Sequence, residues 1–181
     1  HSDHIADLGE LMLQRWASGA SKAPTPVYGP QGLEQVVQGF EQAYTLDRGY
    51  RIAHHGEAVA PPSGFGGEPR AFVADPAAPD VLVLEKPGLK VWAFPVAHHP
   101  VEGAVGYRFE YKGRSVVISG DTGPSDRLVK AAMGADLLLH EGREFRLAHA
   151  ARGDAVLGQA FQHRGLGQGP AHLRMQPGHD G

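Results

Sequence analysis

The sequence predicts a mixed domain of helices and strands, and three observations predict it. An amphipathic helix pattern runs through Leu33, Val36, Val37, Phe40 and Tyr44. Two strand-like runs flank Lys112-Gly113-Arg114 as a hairpin. Several short apolar runs end at a His or an Asp. With 181 residues the chain is long enough for one domain and one core. Its apolar fraction of 41% is ordinary for a globular chain and argues against wholesale disorder.

The elements follow in order. Ile5, Leu8, Met12 and Trp16 mark one face of a first helix, with Ser2 or Asp3 as cap and Gly19 as stop. Pro26-Val27-Tyr28-Gly29-Pro30 reads as a short strand ending in a turn, and the Leu33–Tyr44 helix comes next. The segment from about 56 to 80 is rich in Gly, Pro and Ala and reads as loop or linker. Strands are expected at Val81 to Leu84, Leu89 to Val96, Tyr107 to Tyr111 and Ser115 to Ser119. Ser125 to Met133 reads as a helix with Ser125 as cap and Gly134 as stop. Asp136 to His140 is a short apolar run of the kind found in buried strands. Beyond Glu141, Gly, Arg, His and Gln dominate and no strand pattern survives, so 1–141 is expected to be the core and 142–181 a divergent or disordered tail.

Charge and composition exclude several function classes. A formal charge of −3 with no Lys/Arg-rich block offers no electrostatic footprint for nucleic acid or an anionic membrane. No apolar run is long enough to span a bilayer. The chain has no Cys, so any metal must be held by His, Asp or Glu, and 11 His residues are available.

Three clusters carry chemistry. His1-Ser2-Asp3-His4 puts two imidazoles and a carboxylate just before a helix, a donor set that suits zinc and also manganese or iron. The same residues would also serve as an ordinary polar helix start. Val96-Ala97-His98-His99-Pro100 and Ser119-Gly120-Asp121-Thr122 each follow an expected strand, where α/β folds tend to place ligands. A lone strand-end Asp is equally at home in a turn. Each cluster puts a His or Asp at an element boundary, a recurrence that metal binding explains better than three separate turns do. Other features take plainer readings. His54-His55 is a solvated surface pair, Trp16 and Trp92 are core or interface residues, and Gly64-Phe65-Gly66-Gly67 lacks the context of a phosphate loop.

His1-Ser2-Asp3-His4 resembles the last four residues of the HxHxDH signature of the metallo-β-lactamase superfamily. Val96 to Arg108, Ile118-Ser119-Gly120-Asp121-Thr122, and Asp136-Leu137-Leu138-Leu139-His140-Glu141 are similar to the branch holding ribonuclease Z and the zinc arylsulfatases. Val27-Tyr28-Gly29-Pro30 before a helix fits as well. The resemblance implies an αββα sandwich, truncated at its N-terminus and atypical at its C-terminus. It implies two zinc ions, with His1 and His98 on the first, Asp3 and His4 on the second, and Asp121 bridging both. His98 is preferred to His99 for its place relative to Gly106-Tyr107-Arg108. Asp3 would also orient the nucleophile, and His140 and Glu141 would handle the proton near the leaving group. The implied activity is hydrolysis of a phosphodiester or sulfate ester by a hydroxide shared between the two ions.

Departures from the family pattern set further expectations. The first motif histidine would precede His1, so the chain is expected to be an incomplete copy. That leaves the compartment open between cytoplasm, slightly favoured, and periplasm. The family's late histidines have only candidates by type here: His149, His163, His172 and His179. Because the 56–80 segment is poor in Lys and Arg, a small anionic ester is preferred to tRNA as substrate. Ribonuclease Z-type tRNA 3′ processing is the alternative. Two further readings are a non-catalytic fragment with a partial metal site and a His-rich binding module. No membrane partner is expected, and a homodimer is compatible with the sequence.

Overall fold

A computed structural model describes residues 1–140. The small sheet pairs β1 (Thr25–Pro30) with β2 (Gly67–Phe72) in parallel. The larger sheet has the order β3 (Val81–Lys86), β4 (Leu89–Pro95), β5 (Val105–Tyr111), β6 (Arg114–Ile118) and β7 (Leu137–Leu139). Neighbours from β3 to β6 are antiparallel, and β6 and β7 are parallel. Four α-helices accompany the sheets among the described residues: α1 (Leu8–Ala17), α2 (Leu33–Ala43), α3 (Thr45–His55) and α4 (Asp126–Ala132).

Side-chain alternation along the strands builds the layers. On β2, the face of Gly67 meets Met12 of α1 and Val37 of α2, because a Cβ at Gly67 would lie 2.7 Å from the Met12 sulfur and 2.9 Å from Val37 Cγ1. The opposite face carries Phe72, which packs edge-on to Tyr107 of β5 with ring centroids 6.4 Å apart. Arg108, one residue on, points to the other side of β5, where its guanidinium donates to the Ala131 carbonyl of α4 at 2.5 Å. The order is therefore helices, small sheet, large sheet, helix, as the αββα expectation requires. Burial raises the pKa of the Tyr107 phenol, as its place between the sheets dictates.

Each side of the sandwich has its own core. Phe94, Val117, Leu128 and Ala131 form one between the large sheet and α4, with Val96, Ala135 and Leu138 against it. Trp16, Met12 and Val37 anchor the other. Trp16 is fully buried, stacks edge-on to Phe65 at 5.0 Å, and donates its indole N–H to the Pro61 carbonyl at 2.7 Å. Trp92 is only half-buried. Gly106 is required where β5 crosses Phe94, since a Cβ there would lie 2.5 Å from Phe94 Cζ and 3.0 Å from the Ile118 carbonyl oxygen. Gly106→Ala is expected to cost about 1–3 kcal/mol of stability by overpacking this core. A shift in the denaturant midpoint at unchanged slope would register it.

The strands from 81 onward and α4 lie where the sequence puts them, and Ser125 caps α4 by accepting from the Leu128 N–H at 3.3 Å. Four expectations are corrected. The 56–80 segment is not all loop, because β2 lies inside it, held by backbone pairing to β1 in spite of Gly67 and Pro69. The α2 pattern ends at Ala43, and a further helix, α3, follows directly and ends at His54-His55. Ser2 and Asp3 do not cap α1; they lie in a separate 3-10 turn, Ser2–His4, and Asp7 precedes the first turn of α1. β7 is not deeply buried, with Leu139 46% exposed. The expected tail, 142–181, lies outside the described residues.

Asp136, just before β7, fastens that strand to β6. It accepts from the Arg114 guanidinium at 2.7 Å and from the Ser115 N–H at 2.7 Å. These bonds, led by the one from Arg114, hold its carboxyl below the usual Asp pKa. A depressed folded-state pKa contributes stability above the unfolded value and loses it as pH falls through the folded value. The native chain is therefore expected to exceed Asp136→Asn in stability near neutral pH. The gap should close as pH falls through and below the ordinary carboxylate range, as read from unfolding midpoints across acid pH.

Candidate metal centre

The sheet topology explains how distant residues meet. β4 and β6 flank β5 and are both antiparallel to it, so they run the same way, and β7 runs with β6. Their C-terminal ends share one sheet edge. His98 follows β4, Asp121 follows β6 and His140 follows β7. Gly120 makes the turn into Asp121 with a φ of +60°, and a Cβ there would lie 2.8 Å from the Val105 carbonyl oxygen. The position therefore calls for glycine on both counts. The N-terminal segment supplies the rest. The His4 N–H donates to the His1 carbonyl at 3.1 Å, closing the tight turn that carries His1, Asp3 and His4.

Five of the sequence-selected side chains converge as two groups joined at one carboxylate: His1, His98 and Asp121, and Asp3, His4 and Asp121. Within each group the nearest donor atoms all lie within 4.8 Å of one another. Asp121 Oδ2 is 3.5 Å from His98 Nε2 and 3.8 Å from His1 Nδ1. Its other oxygen, Oδ1, is 2.9 Å from His4 Nε2. One carboxylate thus turns one oxygen to each group. His98 Nε2 and His1 Nδ1 are 3.3 Å apart, and His4 Nε2 is 3.6 Å from Asp3 Oδ2. Asp121 sits at the centre with a 21% exposed side chain, whereas Asp3 is 69% exposed at the rim. His99 is exposed and belongs to neither group.

His140 is half-buried, with Nδ1 3.3 Å from the hydroxyl of the buried Ser119. The Ser119 hydroxyl also donates to the Gly120 carbonyl at 2.7 Å, and the Ser119 N–H donates to the Leu139 carbonyl at 3.0 Å. Ser119 therefore joins the turn into Asp121 to the end of β7. Glu141, His149, His163, His172 and His179 lie outside the described residues. The sequence marks Ser119 and Thr122 only as neighbours of Asp121. Their hydroxyls matter through bonds to loops far along the chain, for which the sequence carries no local signal.

The donor chemistry fits a pair of divalent cations. Every donor is an imidazole nitrogen or a carboxylate oxygen, the set favoured by zinc and accepted by manganese and iron. A carboxylate that turns one oxygen to each group could serve two cations a few ångströms apart, the arrangement of two-metal hydrolytic sites. Among the described residues no helix is long and apolar enough to cross a membrane.

Comparisons with known proteins point the same way. Ribonuclease Z of Mycobacterium bovis is 40% identical over 142 residues, which is 77% of this chain and 48% of that protein. Ribonuclease Z of Mycolicibacterium gilvum is 39% identical over 142 residues, 77% of this chain and 46% of that protein. The crystal structure of the short form of human tRNase Z is similar at 25% identity and a TM-score of 0.51, over 74% of this chain and 51% of that one. The chain spans about half the length of the curated relatives it matches. The sequence profile of the metallo-beta-lactamase superfamily matches residues 1–145, a span that takes in every described element and all five converging donors, and the chain belongs to that hydrolase superfamily.

Proposed function

We propose that this chain carries the dinuclear zinc centre of a phosphodiesterase acting on RNA, of the ribonuclease Z type. The observation that carries the reading is Asp121, whose two carboxylate oxygens face two separate donor groups. His1 and His98 would hold one ion and Asp3 and His4 the other, with Asp121 available to both. When bound, the ions supply Lewis acidity toward the phosphoryl oxygens and a nucleophile at neutral pH.

The chain's own groups do the rest. Asp3, exposed at the rim, accepts a hydrogen bond from the attacking water and takes its proton. His140, steadied at Nδ1 by Ser119, delivers a proton to the leaving oxygen, and Glu141, the next residue in sequence, is assigned a share of that task by the family resemblance alone. Asp121 keeps the two halves of the centre in register.

The substrate class follows the relatives. The low Lys and Arg content of the 56–80 segment favours a small anionic ester, but the relatives are ribonuclease Z proteins and lend that preference no support. RNA replaces it here, and tRNA 3′ processing is the specific form suggested by the human tRNase Z likeness. The test uses the purified chain with added zinc on a precursor tRNA bearing a 3′ trailer and on a chromogenic phosphodiester. Chelator-sensitive cleavage of the precursor is expected. Turnover of the chromogenic ester with the precursor left intact would contradict the RNA reading, and turnover of neither would favour the non-catalytic fragment.

A further inference from the structure

We infer that Thr122 is a positioning residue that latches the Asp121 loop to the His98 loop and so sets the geometry of the His1/His98 half of the centre. The inference rests on the metal reading above. Asp121 and His98 belong to loops that leave the sheet from strands separated by β5, so no direct strand pairing fixes one against the other. The connection between the loops is made by Thr122, Gly123 and Ala97. The Ala97 N–H donates to Thr122 Oγ1 at 3.2 Å across 25 positions of sequence. The Gly123 N–H donates to the Ala97 carbonyl at 2.7 Å. The Thr122 hydroxyl has one proton and two carbonyls within reach, Gly123 at 2.8 Å and Ala97 at 3.4 Å, and in either case its lone pairs stay available to the Ala97 N–H.

The result is a closed clasp. Both backbone polar groups of Ala97 are engaged by one dipeptide, and the residues that follow Ala97 and precede Thr122 are His98 and Asp121 themselves. The His98 carbonyl also accepts from the Val101 N–H at 2.7 Å, so the loop is braced on both sides of His98. His98 Nε2 and Asp121 Oδ2, 3.5 Å apart, are therefore held by bonds one residue away from each. The Asp3 and His4 donors come from the N-terminal turn, so the clasp reaches their group only through Asp121, whereas it braces the His1/His98 group at both His98 and Asp121. Groups hydrogen-bonded directly to metal ligands typically change affinity by about 10–100-fold, and Thr122, which instead bonds the backbone next to both ligands, is expected to act on that scale.

The test titrates zinc into the metal-free full chain and follows the imidazole resonances of His98 and His4 separately. Thr122→Val keeps the side-chain shape and removes the hydroxyl; Thr122→Ser keeps the hydroxyl. The expected result is a loss of about 10–100-fold in affinity read at His98 in Thr122→Val, a smaller change at His4, and recovery in Thr122→Ser. Unchanged affinity at His98, an equal loss at both histidines, or no recovery with Ser would overturn the inference. Should Thr122→Val fail to fold, amide exchange in the native chain decides the matter: a protected Ala97 N–H supports the clasp, and exchange at the rate of an open loop overturns it. If the native chain takes up no zinc, the metal reading itself has failed, and the Ala97 amide still reports on the clasp.

Discussion

Asp121→Ala is expected to abolish binding of both metal ions and with it all metal-dependent hydrolysis. The residue is the only one shared by the two donor groups among the described residues, so its loss leaves each group one donor short. It also removes the negative charge lying between His4 Nε2 at 2.9 Å and His98 Nε2 at 3.5 Å, which would offset the charge of two neighbouring cations. Supporting residues around metal sites typically cost about 10–100-fold in affinity or activity, and a direct shared ligand should exceed that. Metal content by mass spectrometry after desalting, beside the native chain, is the check. A variant that keeps one tightly held ion would show that the groups are independent.

Trp16→Ala is expected to produce the largest stability change, about 3–5 kcal/mol. Trp16 is the largest fully buried side chain, and its removal opens a cavity where α1 meets Phe65. It also strips the Pro61 carbonyl of its hydrogen bond at 2.7 Å. For a domain that is only marginally stable to begin with, a loss of this size is a large share of the total. Equilibrium denaturation is the measurement, and a change below about 1 kcal/mol would mean that this half of the core repacks freely.

What was legible in the sequence was local. The hairpin around Lys112-Gly113-Arg114 and the Ser125 cap of α4 are written in neighbouring residues, and both stand where their patterns put them. The His and Asp residues that the structure brings together were legible for a related reason. Each sits at the end of a strand or beside a helix, so a few adjacent letters identify it. β2 escaped because its residues, Gly67-Glu68-Pro69-Arg70-Ala71-Phe72, have no strand pattern of their own. It is a strand because β1 lies beside it and because the small Gly67 lets Met12 and Val37 approach. α3 escaped although its apolar and polar sides are well separated, and its apolar Leu46 and Tyr50 stay in solvent instead of joining a core. The clasp between Thr122 and Ala97 joins loops 25 positions apart, a relation that no periodicity encodes.

The central claim is that Asp121 joins two metal positions into one centre. Its most direct test is the electron paramagnetic resonance spectrum of the full chain loaded with manganese. Two ions per chain with a spin-coupled spectrum, lost in Asp121→Ala, is the predicted result, since the two donor groups meet at a single carboxylate. A spectrum of isolated ions, unchanged by the substitution, would contradict it.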